Sequence, residues 1–212
     1  KYIEEWSAKV LEDKKIPAVL GGDHSSPLGL MCALGEQYKS YGILHIDAHA
    51  DLRHGYEGFE FSHASIMNNA LKIKSVSKLV QVGIRDYCEE EDALVRGTNG
   101  RAKMFTDREI RRSMFAGKTW AKICADIVKE LPKDVYISFD IDGLDPKLCP
   151  NTGTPVPGGL EFEEVFYLFE QVVKSGRKII GFDLCEVVPG KHTNIDVVVG
   201  ARALYRLARL VA

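Results

Sequence analysis

No run of about 18 apolar residues occurs in the 212-residue chain, so a membrane-spanning helix is not expected. No basic cluster occurs either. With 28 Lys and Arg against 30 Asp and Glu, the formal charge is only −2, which gives a nucleic-acid surface nothing to build on. The five cysteines (Cys32, Cys88, Cys124, Cys149 and Cys185) never form a CxxC pair. Odd in number and widely spaced, they read as reduced thiols of a cytoplasmic protein, with no zinc ribbon or disulfide framework. The opening segment KYIEEWSAKV lacks the charged-then-apolar layout of a signal peptide. Internal repeats, low-complexity tracts and Pro/Ser-rich linkers are also missing. What remains is 45% hydrophobic and 27% charged, the proportions of an ordinary globular protein. One domain over residues 1–212 is expected.

Helical periodicity and β-branched runs alternate along the chain. Helices are expected where Ile3, Trp6, Val10 and Leu11 share a face, and over 26–38, 62–73, 119–130, 162–173 and 195–210. Short strands are expected at 17–21, 41–47, 78–83, 102–105, 135–140 and 178–184. Strands separated by helix-length segments predict βαβ units and a parallel sheet. The turn-rich stretch from Gly143 to Gly159 carries four prolines. A loop of that length inside a compact domain is usually functional.

Four polar clusters each follow a predicted strand: Gly21-Gly-Asp-His-Ser25, Asp47-Ala-His-Ala-Asp51, Asp140-Ile-Asp142 and Glu186. In an open parallel sheet, ligands bind beyond the carboxyl ends of the strands. In extended backbone, residues i, i+2 and i+4 project to one side, so Asp47, His49 and Asp51 can aim at one point, as can Asp140 and Asp142. With His24, these supply four carboxylates and two imidazoles, more than one metal needs and suited to two ions sharing bridging carboxylates. Oxygen-rich donors with a minority of imidazoles suit Mn²⁺, with no thiolate in reach to favour zinc. Two such ions about 3.5–4 Å apart acidify a bridging water to hydroxide. Four aspartates cancel two divalent ions, hydroxide adds one negative charge, and Glu186 adds another. Such a site favours a cationic substrate over a phosphate.

Assembled in this order, GGDHS at 21–25, DAHAD at 47–51, SFDIDGLDP at 138–146, GTPVPGGL at 153–160 and DLCEVVPG around Glu186 resemble the ureohydrolases, the arginase, agmatinase and formiminoglutamase superfamily. The resemblance spans nearly the whole chain. It implies a three-layer α/β/α sandwich with a mainly parallel sheet and a dinuclear manganese site with a bridging hydroxide. One ion would lie among His24, Asp47, Asp51 and Asp140, the other among His49, Asp142, Asp47 and Asp140, making Asp47 and Asp140 the bridges. Asp51 would hold the hydroxide by a hydrogen bond, His63 would pass protons to the leaving amine, and Glu186 would grip the guanidinium. Thr154 would line the substrate pocket. A homotrimer or homohexamer is implied as well. Family members normally carry further N-terminal structure, including the first strand, so an exposed strand edge is expected here.

The segment after DAHAD lacks the Asn- and Ser-rich stretch of arginases and looks more like the DLR…EG…SHAS version of agmatinases. The expected reaction is agmatine to putrescine and urea, with formiminoglutamate hydrolysis to glutamate and formamide as the nearest rival and arginase third. A two-metal phosphoesterase lacks its GNH-type segment here. A catalytically silent scaffold subunit is the non-enzyme alternative. Arg53 is the specificity candidate. Facing the pocket, it would welcome a carboxylate; turned away, it would pair with Glu57, Glu60 or a neighbouring subunit and leave the mouth open to a cation. The second arrangement is the expected one.

Overall fold

The computed structural model describes residues 1–212. Six strands form one parallel sheet: β1 (Ala18–Leu20), β2 (Tyr41–Ile46), β3 (Val76–Ile84), β4 (Ala102–Thr106), β5 (Asp134–Phe139) and β6 (Lys178–Leu184). Their order across the sheet is β1-β6-β5-β2-β3-β4. Helices α1 (Tyr2–Glu12), α2 (Leu28–Gln37) and α3 (Ile66–Lys72) pack on one face. On the other lie α5 (Asp107–Phe115), α6 (Trp120–Glu130), α7 (Phe162–Lys174) and α8 (Ile195–Val211). The remaining helix, α4 (Glu89–Gly97), packs Leu94 and Val95 against the core on the α1 side. This is the expected α/β/α sandwich. No helix is long and apolar enough to cross a membrane.

The central strands are apolar on both faces because helices cover both, as parallel sheets require. Along β2, Ile43 faces the core under α1–α3, while Leu44 and Ile46 face the other. Helix α7 shows the matching helical logic. Its Val165, Phe166, Leu168, Phe169 and Val172 are buried at helical spacing, and Glu163 stays in solvent. At one margin of the sheet, β1 leaves Ala18 and Leu20 exposed.

Two helices, α4 and α5, were not expected from the pattern. Each buries too little for an apolar stripe: Glu91 in α4, Asp107 and Ile110 in α5. What starts them is local chemistry. The Thr106 hydroxyl accepts the Glu109 amide in a capping box, and Cys88 with Glu91 forms a second one. The Thr106-x-x-Glu109 spacing is the signal that could have revealed α5.

From β2 the chain runs outward through β3 and β4, then returns to place β5 on the other side of β2. The carboxyl ends of β2 and β5 therefore flank the point where the winding reverses, which is where open α/β sheets bind ligands. A turn of 3-10 helix, Ile141–Gly143, follows β5 and presses back on the end of β2. A Cβ on Gly143 would meet the Asp47 amide nitrogen at 2.8 Å and Ile46 Cγ2 at 2.9 Å. Gly143→Ala should therefore destabilise the protein by roughly 1–3 kcal/mol, as overpacking of a tight contact does. Denaturant unfolding measures this; a midpoint equal to the parent's would mean the turn is free to move away.

Candidate metal centre

Three strand ends deliver the cluster residues. Asp47 follows β2, Asp140 follows β5, and His24 lies four residues past β1. His24 Nδ1 is 3.0 Å from Asp47 Oδ2, 3.2 Å from Asp51 Oδ2 and 3.3 Å from Asp140 Oδ2. His49 Nδ1 is 3.0 Å from Asp142 Oδ2 and 3.4 Å from Asp47 Oδ1. All six residues expected from the sequence thus converge, in two lobes, and Asp47 contributes one oxygen to each. Asp140 joins the His24 lobe through Oδ2; its Oδ1 accepts the Asp142 amide at 2.9 Å. Of the two expected bridges, only Asp47 spans both lobes by these contacts.

The run from Asp47 to Asp51 is not the extended ladder its alternation predicts. Asp51 adopts a left-handed conformation, φ 55°. That is costly for a non-glycine residue and is held by its surroundings. Its carbonyl accepts the amides of Met67 and Asn68, at 3.0 and 3.2 Å, in the first turn of α3. The kink turns the Asp51 carboxylate back toward His24.

Glu186, two residues past β6, is also left-handed, φ 60°. It is pinned at three points. Its amide donates to Gly22 O (2.9 Å), its carbonyl accepts the Thr152 hydroxyl (3.0 Å), and its Oε1 accepts the His24 amide (2.9 Å). The second carboxylate oxygen remains available toward the cavity. Burial raises this carboxyl above its ordinary value. Thr152, not singled out by the sequence, makes the contact with Glu186, and Thr154, expected to line the pocket, is an exposed residue of the cavity wall.

Above the two lobes lies a cavity of about 500 Å³ bordered by Asp23, Arg53, Tyr56, His63, Asp86 and Glu186, among others. His63 opens a 3-10 turn, His63–Ser65, and is half-exposed, with its ring edge-on to Tyr56 at 5.5 Å and Nδ1 3.9 Å from Asp23. It overlooks the cluster without joining it. Arg53 lacks the two in-chain acidic partners expected for it. It forms no ion pair with Glu57 or Glu60; the Glu60 carboxylate is taken by Lys72 at 2.9 Å. The Arg53 guanidinium instead stacks 5.7 Å from the Tyr56 ring centre, on the cavity wall.

Further polar residues back the cluster. His45 Nε2 is 2.8 Å from Asp47 Oδ2, and Gln81 Nε2 is 3.0 Å from His45 Nδ1. Behind His24, its Nε2 meets Ser138 Oγ at 2.9 Å and approaches Asp183 Oδ1 at 3.7 Å. Asp183 in turn accepts the Tyr136 hydroxyl at 2.5 Å. His45 was legible in principle, since His45, Asp47, His49 and Asp51 continue one alternation. The others are strand residues that sequence alone reads as core. A thiol is also nearer than expected: Cys185 Sγ is 3.7 Å from Asp183. Burial pushes that thiol far up, so without a metal it keeps its proton.

Electrostatics favour cations at this spot. Burial and neighbouring carboxylates raise Asp140 and Asp142, and burial beside Asp47 raises Asp51 to about 6. Burial alone would lower the imidazoles, but Asp142 and Asp47 lift His49 to about 11, and Asp47 and Asp51 raise His24. Burial would likewise raise Asp47, yet His45, His24 and His49 hold it well below the usual range. Without a cation, protons must neutralise this crowd. Carboxylate oxygens and imidazole nitrogens are a donor set that fits hard or borderline divalent ions.

The arginase family model matches residues 1–209, and the chain belongs to that family. It is 36% identical over 197 residues to an N(1)-aminopropylagmatine ureohydrolase of Thermus thermophilus, covering 93% of this chain and 63% of the relative. An agmatinase of Halalkalibacterium halodurans is 32% identical over 193 residues, covering 89% of this chain and 61% of the relative. The chain therefore spans a little over three fifths of the length of these curated relatives. Among solved structures, arginase from Bacillus subtilis superposes with a TM-score of 0.82 at 26% identity, covering 97% of this chain and 75% of that one.

The shifts fix the sign of a pH dependence. Carboxyls whose folded pKa is raised lose stability as pH climbs from the unfolded value to the folded one, here from 3.8 to about 6 for Asp51. An imidazole raised from 6.5 to about 11, as His49 is, loses its contribution as pH rises above 6.5. Both act in the same direction. Chelator-treated protein should therefore melt at a lower temperature at about pH 7.5 than at about pH 5, and added Mn²⁺ should raise the melting temperature more at the higher pH. A melting temperature that is flat or rises with pH would refute this.

Proposed function

We propose that the two lobes hold two divalent cations, manganese by the character of the donors, and that the site hydrolyses a linear guanidino compound to urea and an amine. Agmatine, giving putrescine, is the favoured substrate. The observation that carries this is the pair of carboxylate–imidazole lobes sharing Asp47 beneath an acid-rimmed cavity. Similarity to the ureohydrolases and agmatinases named above supports it.

His24, Asp47, Asp51 and Asp140 would hold one ion, and His49, Asp47 and Asp142 the other, with Asp140 a candidate second bridge. When bound, two such ions supply Lewis acidity, lowering the pKa of water and polarising the substrate. The chain's own residues do the rest. Glu186, its Oε1 tied to the His24 amide, accepts guanidinium N–H groups through its free oxygen in a charge-assisted hydrogen bond. Asp51, turned inward by its left-handed backbone, accepts a hydrogen bond from the attacking water and orients it. His63, wet on one side and facing the cavity on the other, gives a proton to the departing amine. The negative balance around the floor favours a cationic group over a phosphate.

Arg53 supports a second reading. On the cavity wall and without an acidic partner from its own loop, it is placed to receive a carboxylate at the substrate's far end. A guanidino or formimino acid would satisfy it. Asp23 and Asp86 on the same rim favour an amine there, and they keep agmatine first.

Three measurements test these assignments. Manganese-loaded protein is offered agmatine, arginine and formiminoglutamate, with urea and formamide scored separately; agmatine should be turned over fastest. Arg53→Ala should then widen the preference for agmatine, because it removes a like charge from the amine's path. Formiminoglutamate leading in the parent, with its loss in Arg53→Ala, would establish the second reading. Metal analysis after dialysis should find one of the two ions retained in His49→Ala and neither in Asp47→Asn, since Asp47 serves both lobes. Equal retention would remove Asp47 as the shared ligand. His63→Ala should keep its metals and lose turnover by roughly 10²- to 10⁴-fold, the range of a general acid–base group. Loss of metal in that variant would make His63 a ligand.

A further inference from the structure

His45 and Gln81 stand directly opposite each other on β2 and β3. Both are fully buried on the sheet face covered by α1–α3, where apolar residues would pack at no polar cost. Gln81 Nε2 lies 2.7 Å from Ala50 O and 3.0 Å from His45 Nδ1. The reverse amide orientation would press Oε1 against the Ala50 carbonyl, acceptor on acceptor, so the nitrogen is on this side. Gln81 Oε1 has no hydrogen-bond partner and is buried, a desolvation cost that the two donor contacts of the amide offset.

One amide proton goes to Ala50 O and the other to His45 Nδ1. That ring nitrogen must therefore be an acceptor, and the proton of the imidazole is on Nε2, 2.8 Å from Asp47 Oδ2. His45 thus differs from His24 and His49, which turn Nδ1 toward the carboxylates. The Asp47 carboxylate is fixed at both ends: Oδ2 accepts His45 Nε2–H, and Oδ1 accepts the His49 amide at 2.6 Å. Each oxygen has two lone pairs, so one remains on each for a lobe.

We propose that His45 is a positioning residue that fixes the rotamer of the shared carboxylate Asp47, with its tautomer set by Gln81. This rests on the two-metal reading above, since it assigns His45 a hydrogen bond and not a metal bond. A partner that orients a ligand in this way typically changes metal affinity or activity 10- to 100-fold when removed.

The test begins with the tautomer. In ¹⁵N-histidine NMR spectra of the metal-free protein, the signal lost in His45→Phe should report protonated Nε2 and unprotonated Nδ1. A protonated Nδ1 would overturn the proposal. In the manganese-loaded enzyme, His45→Phe should lower kcat by about 10- to 100-fold with KM within about twofold, and weaken Mn²⁺ uptake by a similar factor. His45→Gln, whose amide nitrogen falls near the position of Nε2, should restore most of both; the shorter His45→Asn should not. Parental behaviour of His45→Phe, or equal defects in the Phe and Gln variants, would overturn the proposal. Should the Phe variant not fold, the Gln–Asn pair and the parent spectrum decide. Failure of the parent to release urea would refute the guanidino-hydrolase reading, while the tautomer and Mn²⁺ uptake would still test His45.

Discussion

Four carboxylates, Asp47, Asp51, Asp140 and Asp142, are buried within a few ångströms of one another at the winding reversal of the sheet, and most of the local architecture answers that crowding. Unpaired, such groups cannot all ionise in a low-dielectric interior. The fold surrounds them with donors: the imidazoles of His24, His45 and His49, and the amides of Ala48, His49 and Asp142. These donors orient the oxygens and soften the repulsion. What they leave is a cluster of oxygen and imidazole donors suited to divalent cations.

Holding that site requires backbone conformations that cost energy. Asp51 and Glu186 are both left-handed without being glycine, and each is over-determined by hydrogen bonds from another element. Arg85 performs a related task for the opposite wall. Its guanidinium donates to the carbonyls of Gly83, Asp142, Leu144 and Val156, at 3.2 Å or less. One side chain thus ties the end of β3 to the turn bearing Asp142 and to the long loop of the cavity wall. Within the proline-rich stretch from Gly143 to Gly159, these contacts hold Leu144 and Val156, while Asn151 and Thr152 are held by Asp196 and Glu186.

Much of this was legible in the sequence for definite reasons. Parallel-sheet strands read as apolar runs because both faces are covered, and the polar clusters stood out because each interrupts a chain just as it leaves a strand. The six residues of the two lobes are therefore recoverable by position alone. Helices α4 and α5 were not, because their stability comes from capping boxes and charged surface faces instead of an apolar stripe. The surroundings of Arg53 were not legible for a different reason. Acids at Glu57 and Glu60 are close in sequence, but Glu60 reaches Lys72 on α3 instead.

The sequence by itself determined the order of elements and the ligand-type residues at the strand ends, because periodicity and spacing along one chain encode both. Only the tertiary structure decided how Asp47 divides its two oxygens, which way Arg53 turns, and that Gln81 and Asp183 stand behind the imidazoles of His45 and His24. The last of these are relations between strands distant in sequence. Their physical origin is the sheet register, which sets His45 opposite Gln81, and the closeness of β5 and β6, which sets Tyr136 against Asp183 behind His24.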